Sequence, residues 1–180
     1  MNPADINADI NNDNVFRYEL DVRFFEVDSL GVVFNMWDLG WCDEAMSAFM
    51  ASIGYGYATL RAQGFDAVLR NAQVEWVNSL QAFQHAEIAV RVEHVGTTSF
   101  RIGYDIERVA RPGLPGNPVP ERTRCAHVSV TYVCVEVEGR GKVPIPGGLH
   151  EAFMRNHTSS TRQPSAAAGG QTLTAAAACG

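Results

Sequence analysis

The spacing of apolar residues changes along the chain, and each change marks an element. Tyr18 to Asp28 (YELDVRFFEVD) is rich in aromatic and branched residues and reads as a strand with Leu20, Val22 and Phe24 on one face. From Asn35 to Ile53 the apolar residues Met36, Leu39, Cys42, Met46, Phe49, Met50 and Ile53 recur at steps of three and four, while Trp37, Trp41, Ala45 and Ala48 widen the stripe. This predicts a long helix, apolar around most of its circumference, that stops at Gly54 and Gly56. A short second helix, Tyr57 to Gln63, ends on Gly64, where a left-handed cap suits glycine.

Beyond Gly64 the period is two. Phe65–Leu69 and Ala72–Val77 read as short strands or one bent strand, and Glu87–Val95 sets Ile88, Val90 and Val92 against Glu87, Arg91 and Glu93. After a turn at Gly96, Phe100, Ile102, Tyr104 and Ile106 alternate with polar residues. Arg124–Glu136 carries Val128, Val130, Tyr132 and Cys134 on one side, and Gly147–Arg155 reads as a closing helix. Hairpin-length connections make the later strands antiparallel, and a helix apolar nearly all round needs a sheet curled about it. The prediction is α+β: a long central helix wrapped by a curved antiparallel sheet of five to six strands.

Composition trims this unit. Residues 1–14 hold five Asn and three Asp, and residues 158–180 are rich in Ala, Thr, Ser and Gly with one charge, so both read as disordered tails around a domain over 15–157. Arg111–Glu121, with four prolines and two glycines, reads as an extended loop. A net charge of −6 disfavours nucleic acid and anionic membrane as partners, and no stretch reaches the roughly 18 apolar residues of a membrane span. Cys42, Cys125, Cys134 and Cys179 show no CxxC spacing, so no metal site is expected; buried reduced thiols and an acidic N-terminus without a signal-like segment point to the cytoplasm.

VDSLGVVFNMWDLGWCDEA, Val27 to Ala45, resembles the signature of the 4-hydroxybenzoyl-CoA thioesterase family of hotdog-fold acyl-CoA thioesterases. It has an acid, two residues, glycine, a hydrophobic pair, an aromatic or Asn, then an Asn or His opening the helix. Ser99-Phe100 and GRGKVPIPGGL, Gly139 to Leu149, extend the resemblance to about Tyr18–Phe153. It implies hydrolysis of an acyl thioester to free acid and CoA, with no cofactor beyond the CoA of the substrate. Asp28 would act as general base on water or as a nucleophile forming a mixed anhydride. The Asn35 N–H would be the oxyanion donor, beside the positive end of the helix dipole, and Gly31 would let the thioester approach the backbone. Val33, Phe34, Trp37, Thr98 and Ser99 would contact substrate. In a purely structural reading, Asp28 is a turn residue and Asn35 a helix cap, Phe34, Trp37 and Trp41 belong to core or subunit contacts, and Glu26 is solvent-exposed or paired with Arg23.

Two positions depart from the family pattern. The turn His94-Val95-Gly96-Thr97-Thr98 lacks the usual basic residues for CoA phosphates, which leaves Arg61, Arg70, Arg101, Arg122 or Arg124 for that contact, or an acyl carrier protein as the donor. Asp38 stands where the family usually has an aromatic, altering the acyl pocket or complementing the helix dipole. No histidine precedes His85, which argues against the His-dependent dehydratases of this fold. The expected partners are thus an acyl-CoA or an acyl carrier protein and further copies of the chain, as a homodimer or homotetramer, because an open sheet edge and an apolar face need cover. The rival reading is a non-catalytic acyl-thioester-binding hotdog protein.

Overall fold

The computed structural model describes residues 15–110, 122–139 and 141–157. Five strands form one antiparallel sheet in the order β1-β3-β4-β5-β2: β1 (Phe16–Asp21), β2 (Phe65–Trp76), β3 (His85–Val95), β4 (Ser99–Val109) and β5 (Arg122–Glu136). Three helices accompany it: α1 (Met36–Ser52), α2 (Tyr57–Ala62) and α3 (Gly147–Arg155). The expected tails and the Pro-rich loop 111–121 lie outside the described residues.

The period-two residues do what their spacing requires. Ile88, Val90 and Val92 of β3, Phe100, Ile102, Tyr104 and Ile106 of β4, and Val128, Val130, Tyr132 and Cys134 of β5 are all buried. They share one core with Trp41, Cys42, Ala45, Met46, Phe49 and Met50 of α1 and Leu149 and Phe153 of α3. Phe153 lies between Phe49 and Phe100, at ring-centroid distances of 6.4 and 4.5 Å. Residues 65–76 form one strand, bent by a register shift between Leu69 and Asn71 rather than broken in two. Gly64 adopts φ +82°, the left-handed conformation expected of it.

The first strand is shorter than its composition suggests. It ends at Asp21, and Phe24–Glu26 form a 3-10 turn, so Phe24 leaves the strand face and is exposed. The cause is Glu26. Its carboxylate is 0% exposed and accepts from Arg23 N (2.7 Å), Arg23 Nε (2.9 Å) and Trp41 Nε1 (2.9 Å). Pairing with Arg23 holds as expected, but solvent exposure does not: the turn folds the carboxylate inward onto α1. Met36, the first apolar residue of the helical stripe, is also exposed, because it precedes the part of α1 that the sheet covers.

Candidate active site

Between Val27 and Val33 the chain makes a tight hairpin closed by a bridge between those two residues. Asp28 N–H donates to Val32 O at 2.8 Å, Gly31 N–H to Asp28 O at 3.0 Å, and Leu30 N–H to Asp28 Oδ1 at 2.8 Å. Gly31 takes φ +75°, which closes the turn at low cost only without a side chain. Asp28 is therefore a turn residue whose second oxygen, Oδ2, receives no hydrogen bond from any described group. The returning arm is pinned by Val33 N–H to Leu80 O (2.8 Å) and by Phe34 N–H to Glu26 O (2.9 Å), which delivers Asn35 to the N-terminus of α1. The Asn35 side chain makes no cap hydrogen bond, and no described group accepts its backbone N–H.

A cavity of about 250 Å³ opens beside this helix end. Val32, Val33 and Asn35 form one wall, Asp38 and Trp76 another, and residues 77–80 with Cys125 and Ala126 the rest. Asp38, in the first turn of α1, is buried and accepts from Trp76 Nε1 at 2.7 Å; burial pushes its carboxyl above the usual range against that bond. Burial likewise raises the Cys125 thiol, which is the reverse of what a thiolate nucleophile needs.

Of the residues singled out in the sequence, Val33 and Asn35 line the cavity, and Asp28 and Gly31 lie in the hairpin that carries its Val32–Val33 wall. Phe34 is exposed, and Trp37 packs edge-on to Phe25 at 5.4 Å, beneath the Arg23 guanidinium, away from the cavity. Thr98 and Ser99 lie elsewhere. Ser99 pairs with Val133 on β5, seven residues or about 23 Å along the strand from cavity residue Ala126, so one protomer does not join them to Asp28. Sequence reasoning missed the 76–80 segment and Cys125 as walls. For Asp38 a signal existed: it stands three, four and seven residues before Trp41, Cys42 and Ala45 and so heads the buried stripe of α1.

The sequence profile of the thioesterase-like superfamily matches residues 22–153, an interval that holds the hairpin, α1 and the whole cavity. The chain belongs to that superfamily. Among its thioesterase-like relatives, a protein of Aquifex aeolicus (strain VF5) named "Putative esterase" is 29% identical over 89 residues, covering 49% of this chain and 70% of the relative. A 1,4-dihydroxy-2-naphthoyl-CoA hydrolase of Synechococcus elongatus is 21% identical over 138 residues, 76% of this chain and 93% of that one. The dynemicin thioesterase, a structure described with bound polyene, superposes with a TM-score of 0.70 at 20% identity over 81% of this chain and 99% of its own. This likeness shows the hotdog fold. In this thioesterase-like chain most of the arginines considered for a phosphate contact are held by carboxylates. Arg61 faces Asp66 at 3.9 Å, Arg101 pairs with Glu93, Arg122 with Glu87 and Glu107, and Arg124 with Asp105. Arg70, exposed at the bulge of β2, has no ion pair among the described residues.

Proposed function

We propose that the protein hydrolyses acyl-CoA thioesters in the cytoplasm, as a member of the 4-hydroxybenzoyl-CoA thioesterase branch of its superfamily. The observation that carries this is two unmet groups on consecutive segments of chain: Asp28 Oδ2, in the hairpin that carries the Val32–Val33 wall, and the Asn35 N–H, at the α1 N-terminus on the cavity. Cleavage needs an oxygen nucleophile and a donor for the charge that builds on the carbonyl oxygen. Asp28 supplies the first, as general base on water or by direct attack; the Asn35 N–H, at the positive helix end, supplies the second. Gly31 keeps the hairpin tight enough for both to face one carbonyl.

Two copies of the chain complete the site in this proposal. Thr98 and Ser99, remote within a protomer, contact the CoA of a substrate held by the neighbouring copy, and Arg70 meets its phosphates. Buried, unpaired Cys42, Cys125 and Cys134 fit a reducing compartment. The 1,4-dihydroxy-2-naphthoyl-CoA hydrolase named above supports an aromatic or similarly compact acyl group.

The test is a panel of aromatic, short and long acyl-CoAs with thiol trapping, run on wild type and Asp28→Asn. We expect the variant to lose at least about a hundredfold in turnover, the scale of one general base. Full activity in Asp28→Asn rules out its role, and absence of turnover with every thioester leaves the protein a binder. Running pantetheine thioesters alongside separates CoA from a carrier donor, since equal saturation by both removes Arg70 from the reading.

A further inference from the structure

One arginine of the sheet stands apart from its carboxylates. Arg17 and Arg122 meet Glu87, Arg91 and Arg124 meet Asp105, and Arg101 meets Glu93. Arg108 follows the buried Ile106 by two residues on β4, so it shares the inner face, where its register partners are Ala86 of β3 and Thr123 of β5. No carboxylate pairs with it among the described residues. Its Nε and the Thr123 Oγ1 are both buried, and both lack a hydrogen-bond partner. A buried donor without an acceptor is costly, and here two of them belong to facing residues. Arg108 and Thr123 each keep partial exposure, so the pair is within reach of solvent rather than sealed. It also adjoins the cavity. Cys125, two residues after Thr123 and part of the cavity wall, lies against Arg108: burial raises its thiol, and the Arg108 backbone N–H and charge act in the opposite direction.

We propose that Arg108 and Thr123 form a carboxylate-binding site, in which the ligand's two oxygens accept from Arg108 Nε and a terminal guanidinium nitrogen and the Thr123 hydroxyl donates to one of them. The planar fork of a guanidinium matches a carboxylate bidentately. An ionised carboxylate brings acceptors only, which is what two unmet donors lack. One cation suits a monoanion, whereas a phosphate dianion would bring more charge than this site offsets. The carboxylate has two possible sources: a free carboxylic acid, or the second carboxyl of an acyl thioester whose reacting end lies at Asn35. Binding of a free acid stands without the hydrolase reading, and only the second source rests on it.

The experiment has two arms. In the first, melting temperature is followed against acetate, butanoate, benzoate, glutarate and inorganic phosphate, each compared with chloride at the same ionic strength. At least one carboxylate should raise the wild-type value by about 3 °C at 10 mM, the shift that a dissociation constant near 1 mM gives a domain of this size. Arg108→Met, which keeps the apolar stem, should abolish that shift, and Thr123→Val should weaken binding at least about threefold. Arg108→Lys, which keeps the charge and loses the fork, should weaken it about tenfold and serves where the methionine variant does not fold. In the second arm, kcat/KM for succinyl-, glutaryl- and adipoyl-CoA is set against butanoyl-, pentanoyl- and hexanoyl-CoA. A preference of about tenfold for the best dicarboxylic member, lost in the Arg108 variants, assigns the carboxylate to the acyl group; protection by free acids with no such preference assigns it to a free acid. A wild type that shows neither protection nor preference overturns the inference, as does an effect that survives both Arg108 variants or protection by phosphate in place of the carboxylates. A protein that turns over no thioester yet is protected through Arg108 sinks the hydrolase reading alone.

Discussion

Trp41 Nε1 and three Arg23 nitrogens converge on the Glu26 carboxylate, which ties the 3-10 turn to the catalytic-helix candidate α1. Burial alone would raise this carboxyl, but the Arg23 and Trp41 hydrogen bonds outweigh it and hold it below the usual range. Glu26→Ala should therefore cost about 2 kcal/mol, because a buried indole N–H loses its acceptor, with the loss read from urea unfolding. A variant as stable as wild type would show that the turn does not depend on this residue. Glu26 and Asp38, two of the buried carboxylates, differ in how far the sequence reveals them. Asp38 sits on the helical stripe and can be found by counting; Glu26 depends on a 3-10 turn that its own hydrogen bonds create, and no local periodicity encodes that.

Among the elements, the outer face of the sheet is the most heavily charged. Glu87 is held between Arg17 and Arg122, and Asp105 pairs with Arg91, Arg124 at 3.4 Å and His127 Nδ1 at 2.9 Å. Although burial opposes it, the His127 bond and the two arginines lower the Asp105 carboxyl to about 2, and Asp105 raises His127 in turn. A lowered carboxylate stabilises the fold above its unfolded value of about 4 and loses that contribution as pH falls toward 2; a raised histidine contributes fully below about 6.5 and loses it as pH rises through its folded value. The melting temperature should accordingly peak between about pH 4 and 6.5. Asp105→Asn should flatten the decline on the alkaline side, and a wild-type melting temperature that climbs from pH 6 to 8 would contradict the assignment. The same strands explain why most of the sheet was legible: one face must enter the core, so apolar residues fill every second position over Ile88–Val92, Phe100–Ile106 and Val128–Cys134, with Ala89 and Val133 as apolar interruptions between them. The hairpin at Asp28 was legible as a motif, but the 76–80 wall was not, since Trp76 and Val77 only end the strand pattern, Asn78 to Leu80 carry no periodic signal, and the segment meets α1 only through the tertiary fold.

For the whole molecule the two sheet edges are unequal, six residues in β1 against twelve in β2. The long edge exposes Val68, Leu69 and Trp76, and on the proposal above it pairs with a second copy. Light scattering should give at least a dimer, and Leu69→Lys should shift the population toward monomer and lower kcat/KM together, because Thr98 and Ser99 of one copy then lose the substrate of the other. Monomeric, fully active protein would refute the shared site. The register shift at Leu69 and Asn71 also bears on how such an assembly grows. If β2 joins β2 across a two-fold axis, each copy consumes its long edge in one contact, and among the described residues the edge left is the short β1, whose six residues offer little template. Association is then self-terminating: the geometry that completes the pocket also keeps the sheet from propagating into a fibre.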